Sequence, residues 1–176
     1  MVLWAQFIWC DVKKMIHIVL IQPQIPQNTG NIGRLCVAVN ATLHLIKPLG
    51  FSTSQKELKR AGLDYWQHLT VQEWESIEVF WESHPIIVHK ENTNTPQHFF
   101  FSTKAQKLHY EANYNEECYL YFGREDAGIS EDILVRNAHA TYKLPMTKLA
   151  RSINLATCVG AVLYEVLRQN GLYKKF

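Results

Sequence analysis

The apolar run Ile16–Ile21 and the polar segment that follows it constrain the fold more than any other part of the sequence. The run is typical of a buried strand, two prolines break it, and the segment Asn28–Arg34 then restarts the chain as a helix. Because open α/β sheets bind ligands at the carboxyl ends of their strands, this turn is a candidate ligand loop. On a helix over Asn31–Val39, Arg34 faces outward. For this segment taken alone, an ordinary turn capped by Asn28, with a solvated arginine, is the better explanation.

Two later segments repeat this arrangement of a strand followed by a polar loop. The apolar stretch Tyr119–Phe122 runs into Gly123–Ile129, a loop with two glycines and two carboxylates. Further on, Lys143–Met146 leads to Ala150–Leu155, which opens a long helix that Ser152 is predicted to cap. Each piece alone has a purely structural explanation. Their order and spacing favour a shared functional site.

The three segments together resemble the three motifs of the SPOUT RNA methyltransferases. The matching patterns are Asn-x-Gly-Asn-Ile-x-Arg in Asn28–Arg34, Phe-Gly-x-Glu-x-x-Gly-Ile in Phe122–Ile129, and Leu-Pro-Met at 144–146 followed by Arg-Ser-x-Asn-Leu at 151–155. Three further segments resemble the subgroup that methylates the ribose 2′-hydroxyl of the tRNA wobble nucleotide: Ile25–Ile32, Pro48–Phe51 and Ala61–Trp66.

The resemblance extends from about Met15 to Tyr173 and thins between Gln67 and His98. Gly33 and Arg124 replace a bulkier residue and a proline of some relatives, and neither change removes a functional group of a motif.

Hydrophobic periodicity predicts an α/β fold with a mostly parallel sheet and helices on both of its faces. Strands are expected at Ile16–Ile21, Leu43–Ile46, Phe99–Ser102, Tyr119–Phe122 and Ala140–Leu144, with another possible at Ile86–His89; helices are expected at Asn31–Val39, Gln55–Arg60, Glu73–Glu82, Glu131–Asn137 and Ile153–Gln169. The resemblance implies a C-terminal trefoil knot in addition. It also implies a homodimer formed through the motif-one and C-terminal helices.

Composition predicts one domain in a reducing compartment. The 176 residues, 47% of them hydrophobic, suffice for a single core, which we assign to 15–176. Residues 1–14 are interpreted as an upstream-start or non-native extension, with an extra strand or a dimer contact as the alternative. The four cysteines are widely scattered, so the sequence does not predict a disulfide framework or a zinc site. The eight histidines also lack the spacing of metal ligands. Val2–Trp9 is too short to cross a bilayer, so a cytoplasmic protein without membrane contact is expected.

The resemblance also implies how S-adenosylmethionine is held. Backbone groups at Phe101, Gly123, Leu144 and Ser152 are expected to bind the cofactor, while Ile129 and Leu155 form apolar walls of the adenine pocket. Positioning of this activated methyl donor against a ribose hydroxyl is then the main task of the protein.

Three polar side chains are expected near the substrate by the same resemblance. Arg34 matches an arginine proposed to activate the ribose hydroxyl, but a guanidinium is almost always protonated. A phosphate clamp, stabilisation of a developing alkoxide, or late proton loss through the RNA phosphate therefore remain open roles. Asn154 and Tyr164 match other substrate positions, and Tyr164 packed in the core is an equal alternative.

The expected substrate is the anticodon stem-loop of tRNA, whose unstacked bases expose their ribose groups. Lys56, Lys59 and Arg60 lie at helical spacing and, with Arg151, are predicted to bind the RNA backbone; a solvated face is the alternative. Methylation of another tRNA site or of ribosomal RNA is a second possible function. A non-catalytic RNA-binding or nucleotide-binding module is a third, which the intact motif residues disfavour.

Overall fold

A parallel sheet forms the centre of the protein. The computed structural model describes residues 16–52, 64–87, 96–114 and 117–171. Its strands are β1 (Ile16–Ile21), β2 (Thr42–Ile46), β3 (Thr70–Trp74), β4 (Gln97–Phe101), β5 (Lys107–Leu108), β6 (Cys118–Phe122) and β7 (Thr141–Lys143). They lie in the order β3-β2-β1-β6-β4-β7-β5, and each pairing is parallel. The carboxyl ends of β1, β4, β6 and β7 therefore share one edge.

Helices cover both faces of this sheet, as the sequence predicts. They are α1 (Pro26–Val39), α2 (Ile77–Ser83), α3 (Glu131–Arg136) and α4 (Leu155–Gln169), with short 3₁₀ helices at Asp64–His68, His109–Glu111 and Ala138–Ala140. α1 and α4 pack together over one apolar core, and α2 and α3 cover a second core on the opposite face. Burial of apolar side chains on both faces of parallel strands explains why β1 and β6 read as continuous apolar runs.

The predicted start of the first helix is wrong. α1 begins at Pro26, five residues before Asn31, because proline fits the first turn of a helix, where its missing N–H costs nothing. Asn28 is therefore buried inside the helix, and no side chain caps it. The outward orientation of Arg34 is correct: Arg34 is exposed, whereas Ile32 is fully buried.

The predicted helix Glu73–Glu82 is only partly correct. Its first two residues belong to β3, an edge strand that the sequence analysis did not predict, and α2 begins at Ile77, capped by the Ser76 hydroxyl. β3 is partly exposed along its length, so it lacks the apolar run that identified the central strands. Residues 86–87 have no regular structure; the remainder of that possible strand and the predicted helix Gln55–Arg60 lie outside the described residues.

A row of stacked aromatic rings crosses the sheet, from the middle of β2 to the amino-terminal parts of β1, β6 and β4. His44, His17, Tyr119 and His98 lie on β2, β1, β6 and β4, and successive ring centroids are 5.2, 4.3 and 4.7 Å apart. The Trp74 indole N–H donates to His44 Nδ1 (3.1 Å), so His44 carries its proton on Nε2 and donates it to His17 Nδ1 (3.0 Å). We refer to these four rings as the imidazole ladder.

Two of the ladder histidines, His44 and His98, are held neutral. Burial, together with His17 and His84, lowers the pKa of His44 from 6.5 to about 3, and burial followed by His84 and His17 lowers the pKa of His98 to about 4. An unfolded chain therefore binds protons that the folded chain does not, below pH 6.5.

Stability should consequently decrease as the pH falls. Neutral His44 makes its full contribution to the free energy of unfolding above pH 6.5. This contribution is lost as the pH falls from about 6.5 to about 3, by up to about 1.4 kcal/mol per pH unit. His44→Asn keeps an acceptor for Trp74, and its free energy of unfolding should depend less steeply on pH, as measured by urea titration between pH 7 and 5. The exposed His139→Gln is the control. An unchanged slope in His44→Asn would contradict this account.

Candidate functional site

A cleft of about 530 Å³ lies at the carboxyl edge of the sheet. Its walls come from the loops that follow β4, β6 and β7, from the segment before α4, and from the start of α1. The lining residues are Ile25, Asn28, Phe101–Lys104, Phe122–Ile129, Lys143, Leu144, Met146, Arg151–Leu155 and Cys158. Ligands of open α/β sheets bind at such an edge, where strand order reverses.

The loop after β6 folds back sharply on itself. The backbone of Arg124 pairs with that of Gly128: the Arg124 amide donates to the Gly128 carbonyl (3.2 Å), and the Gly128 amide donates to the Arg124 carbonyl (2.8 Å). A side chain at Gly123 would place its Cβ 2.1 Å from the Gly128 carbonyl carbon. Glycine at 123 is therefore required by the fold of the chain itself. Gly128 adopts φ = 70°, a conformation that favours glycine.

The carboxylate of Glu125 joins this loop to the turn between β1 and α1. Its Oε2 accepts a hydrogen bond from the Gln24 amide (2.9 Å). Its Oε1 accepts from the Ile25 amide (3.2 Å) and from Asn28 Nδ2 (3.0 Å). Partial burial acts to raise the pKa of Glu125, but the bonds from Asn28 and the backbone amides outweigh it and lower the pKa. The carboxylate is therefore ionised at neutral pH.

The third segment connects to this carboxylate through Asn28. Asn154 Nδ2 donates to Asn28 Oδ1 (2.9 Å), and Asn154 Oδ1 accepts from the Thr157 amide (3.2 Å). Asn154 is thus the N-cap of α4, and the prediction that Ser152 caps this helix is wrong. We call the chain of hydrogen bonds Glu125–Asn28–Asn154 the polar relay; it links all three sequence segments.

The structure gathers most of the predicted site residues around the cleft. The six residues expected to hold the cofactor line it: Phe101, Gly123, Ile129, Leu144, Ser152 and Leu155. Asn154 and Arg151 line it as well. Arg34 and Tyr164 do not; both are exposed, on α1 and α4. With 57% exposure, Tyr164 is not a core residue. Lys56, Lys59 and Arg60 lie outside the described residues.

Lys104, Met146 and Cys158 are among the cleft residues that the sequence analysis did not assign to the site. Lys104 follows β4 in a stretch without a motif, and only the strand order brings it to the cleft. Met146 was noted only as part of a motif. Cys158 contributes a thiol whose pKa burial raises to about 11, so it stays protonated and is a poor nucleophile. One turn of α4 separates Cys158 from Asn154, a spacing that could have predicted its position.

Comparison with known proteins identifies the family. The sequence pattern of the SpoU rRNA Methylase family matches residues 15–164. The chain belongs to this family. A Bacillus subtilis protein provisionally named tRNA (cytidine(34)-2′-O)-methyltransferase is 44% identical over 158 residues, which cover 88% of this chain and 92% of the relative. The Escherichia coli tRNA (cytidine(34)-2′-O)-methyltransferase is 38% identical over 159 residues, covering 89% and 95%.

Solved structures agree with this assignment. A structure described as giving insights into the 2-OH methylation of C/U34 on tRNA superposes with a TM-score of 0.78 at 44% identity, and the match covers 89% of this chain and 96% of that one. The fold class predicted from the sequence, an α/β protein with a mostly parallel sheet, is confirmed.

Neither a metal centre nor a membrane span is found in the part of the chain that the structure describes. No group of three or more His, Cys, Asp or Glu residues within those ranges could hold a metal ion. Likewise, no helix among those described is both long and apolar enough to cross a bilayer. The expectation of metal-free binding stays a prediction.

Disruption of the polar relay should loosen the cleft. Glu125→Gln keeps the size of the side chain but turns an amide N–H toward one of three donors, so we expect a loss of about 1–2 kcal/mol in the free energy of unfolding. Urea titration measures this loss. Glu82→Gln, an exposed residue of α2, should change stability by no more than about 0.5 kcal/mol. Equal free energies of unfolding in the two variants would show that the polar relay contributes nothing to stability.

Proposed function

We propose that this protein transfers a methyl group from S-adenosylmethionine to the ribose 2′-hydroxyl of the wobble nucleotide, cytidine or uridine, in the tRNA anticodon loop. The observation that carries the proposal is the convergence of three distant motifs on one cleft, in a chain whose relatives are named for this reaction. The cleft lies at the edge of the sheet where a substrate can reach it.

The residues of the cleft fit this cofactor. A volume of about 530 Å³ suits a ligand of nucleoside size, and the wall combines apolar groups with backbone at strand ends. Ile129 and Leu155 are assigned to the walls of the adenine pocket, and the backbone at Phe101, Gly123, Leu144 and Ser152 to the polar groups of the cofactor. When bound, the cofactor supplies a methyl group on positively charged sulfur, which needs no metal or nucleophile of the protein. The protein therefore acts by positioning and by electrostatic stabilisation.

Arg34 is assigned to the ribose hydroxyl and its neighbouring phosphate. A guanidinium stays charged and cannot serve as an ordinary base, but it can clamp a phosphate and stabilise an oxygen that is losing its proton. Because Arg34 and Tyr164 do not line the cleft of their own protomer, we assign them to the partner's cleft in a homodimer formed through α1 and α4. Their exposure on these two helices supports this assignment.

The remaining features of the proposal are the knot, the domain bounds, the location and the contacts with the RNA backbone. We propose a trefoil knot in the C-terminal part of the chain, a single domain over 15–176 with a separate extension before it, and a cytoplasmic location. The thiols of Cys118 and Cys158 are not joined in disulfides, which is consistent with a reducing compartment. Lys56, Lys59, Arg60 and Arg151 are proposed to bind the tRNA backbone; Arg151 is exposed at the cleft.

The decisive experiment is to map ribose methylation. We expect purified protein with S-adenosylmethionine to methylate position 34 of unmodified tRNA from a strain lacking the gene, in chelator, as read by mass spectrometry of nuclease digests. Methylation of another tRNA position or of ribosomal RNA would replace the proposed substrate. Cofactor binding without transfer to any RNA would favour a binding module.

Substitution of Arg34 tests its role in transfer. Arg34→Ala should bind the cofactor and remain folded and dimeric, because Ile32 and Leu35 of α1 contribute the packing, yet lose methyl transfer by about 100-fold or more. Arg34→Lys should restore little if a bidentate clamp is needed. Calorimetry with the cofactor, sedimentation and single-turnover methylation measure the three properties. Near-normal turnover of Arg34→Ala would remove this residue from the site.

A further inference from the structure

The cleft is lined by more positive than negative side chains. Its cations are Lys104, Arg124, Lys143 and Arg151, and its two carboxylates belong to Glu125 and Asp126, so its formal charge is +2. Glu125 is engaged in the polar relay. The cofactor of the proposed function is itself a cation, so this excess of positive charge does not serve its binding. It suits a polyanion instead.

Arg124 and Asp126 form a bidentate ion pair at this cleft. Arg124 Nε donates to Asp126 Oδ1 (3.0 Å), and one terminal guanidinium nitrogen donates to Oδ2 (2.8 Å). Their side chains are 36% and 63% exposed, so water reaches both groups. Ion pairs at such exposure contribute little to stability, and the guanidinium can exchange one anion for another at low cost.

The ion pair is not needed to close the loop on which it lies. The backbone bonds between Arg124 and Gly128 make the turn, and the carboxylate of Glu125, between the two charged residues, anchors it to the β1–α1 turn. Removal of either charge should therefore leave the shape of the cleft intact. The pair is free to serve another purpose.

We propose that Arg124 binds a backbone phosphate of the RNA substrate. Until then, the Asp126 carboxylate holds the guanidinium in place, and the phosphate displaces this carboxylate. The proposal rests on the proposed function, since it names a contact of that substrate. A phosphate presents the same two-oxygen edge as a carboxylate to the guanidinium fork. Asp126 thus keeps Arg124 ordered at the cleft and lowers its affinity for anions.

Removal of the arginine charge tests the contact. Arg124→Gln should weaken tRNA binding about tenfold at low salt and reduce the slope of log affinity against log salt by about 0.7 to 0.9. Its affinity for S-adenosylmethionine should stay the same. Arg168→Gln is the matched control, because Arg168 forms a similar bidentate pair with Glu165 on α4 and does not line the cleft. It should keep the salt slope of the parent.

A double-mutant cycle tests the role of Asp126. Asp126→Asn should tighten tRNA binding by about two- to fivefold, because it releases Arg124. In the Arg124→Gln background the same substitution should change affinity by less than about twofold. If Asp126 only repels RNA by its own charge, its removal tightens binding equally in both backgrounds, and the proposed competition is wrong.

Two further outcomes would overturn the proposal. One is a salt slope of Arg124→Gln equal to that of the parent, and the other is a loss of cofactor affinity as large as the loss of tRNA affinity. Both are measured on protein whose parent form methylates tRNA, so they leave the proposed function standing. Failure of the parent to methylate any RNA would instead defeat the proposed function itself.

Discussion

The carboxylate of Glu125 is the contact on which the cleft depends. It accepts hydrogen bonds from residues 97 to 101 positions earlier in the chain, and so fixes the loop after β6 against the start of α1. Asn28 passes this connection to Asn154, which begins α4. An ionised carboxylate that accepts three bonds is a strong acceptor, so it can hold three loops that are otherwise exposed to water. The rigidity that methyl transfer requires therefore arises from a few polar atoms.

The loop after β6 combines two demands in seven residues. Its backbone must turn sharply enough for residues 124 and 128 to pair, which excludes any side chain at Gly123 and favours glycine at 128. Within that turn, Glu125 points to the β1–α1 turn, whereas Arg124 and Asp126 face the cleft and pair with each other. The same backbone thus separates a structural carboxylate from a pair of charges available to a ligand.

The sequence predicted the elements whose signal is local. β1, β6 and α4 were found within two residues at each end, because apolar runs and helical spacing mark buried elements. β3 was missed because a partly exposed edge strand carries no such run. The site residues were found through their motifs, but the interactions among them were not. A cap role for Asn28 stood as the structural alternative, because its real partners, Glu125 and Asn154, are distant in sequence and meet it only in the folded protein.

The two ends of the sheet differ in how acid affects them. The imidazole ladder lies mostly toward the amino-terminal end, and the contribution of neutral His44 to the free energy of unfolding is lost as the pH falls from about 6.5 to about 3. The polar relay lies at the carboxyl end, and the pKa of Glu125 is below its ordinary value of 4.5, so this carboxylate remains ionised through most of that interval. Mild acid therefore lowers the free energy of unfolding through His44, while the cleft keeps its hydrogen bonds. The binding site is thus expected to retain its shape until the sheet itself unfolds.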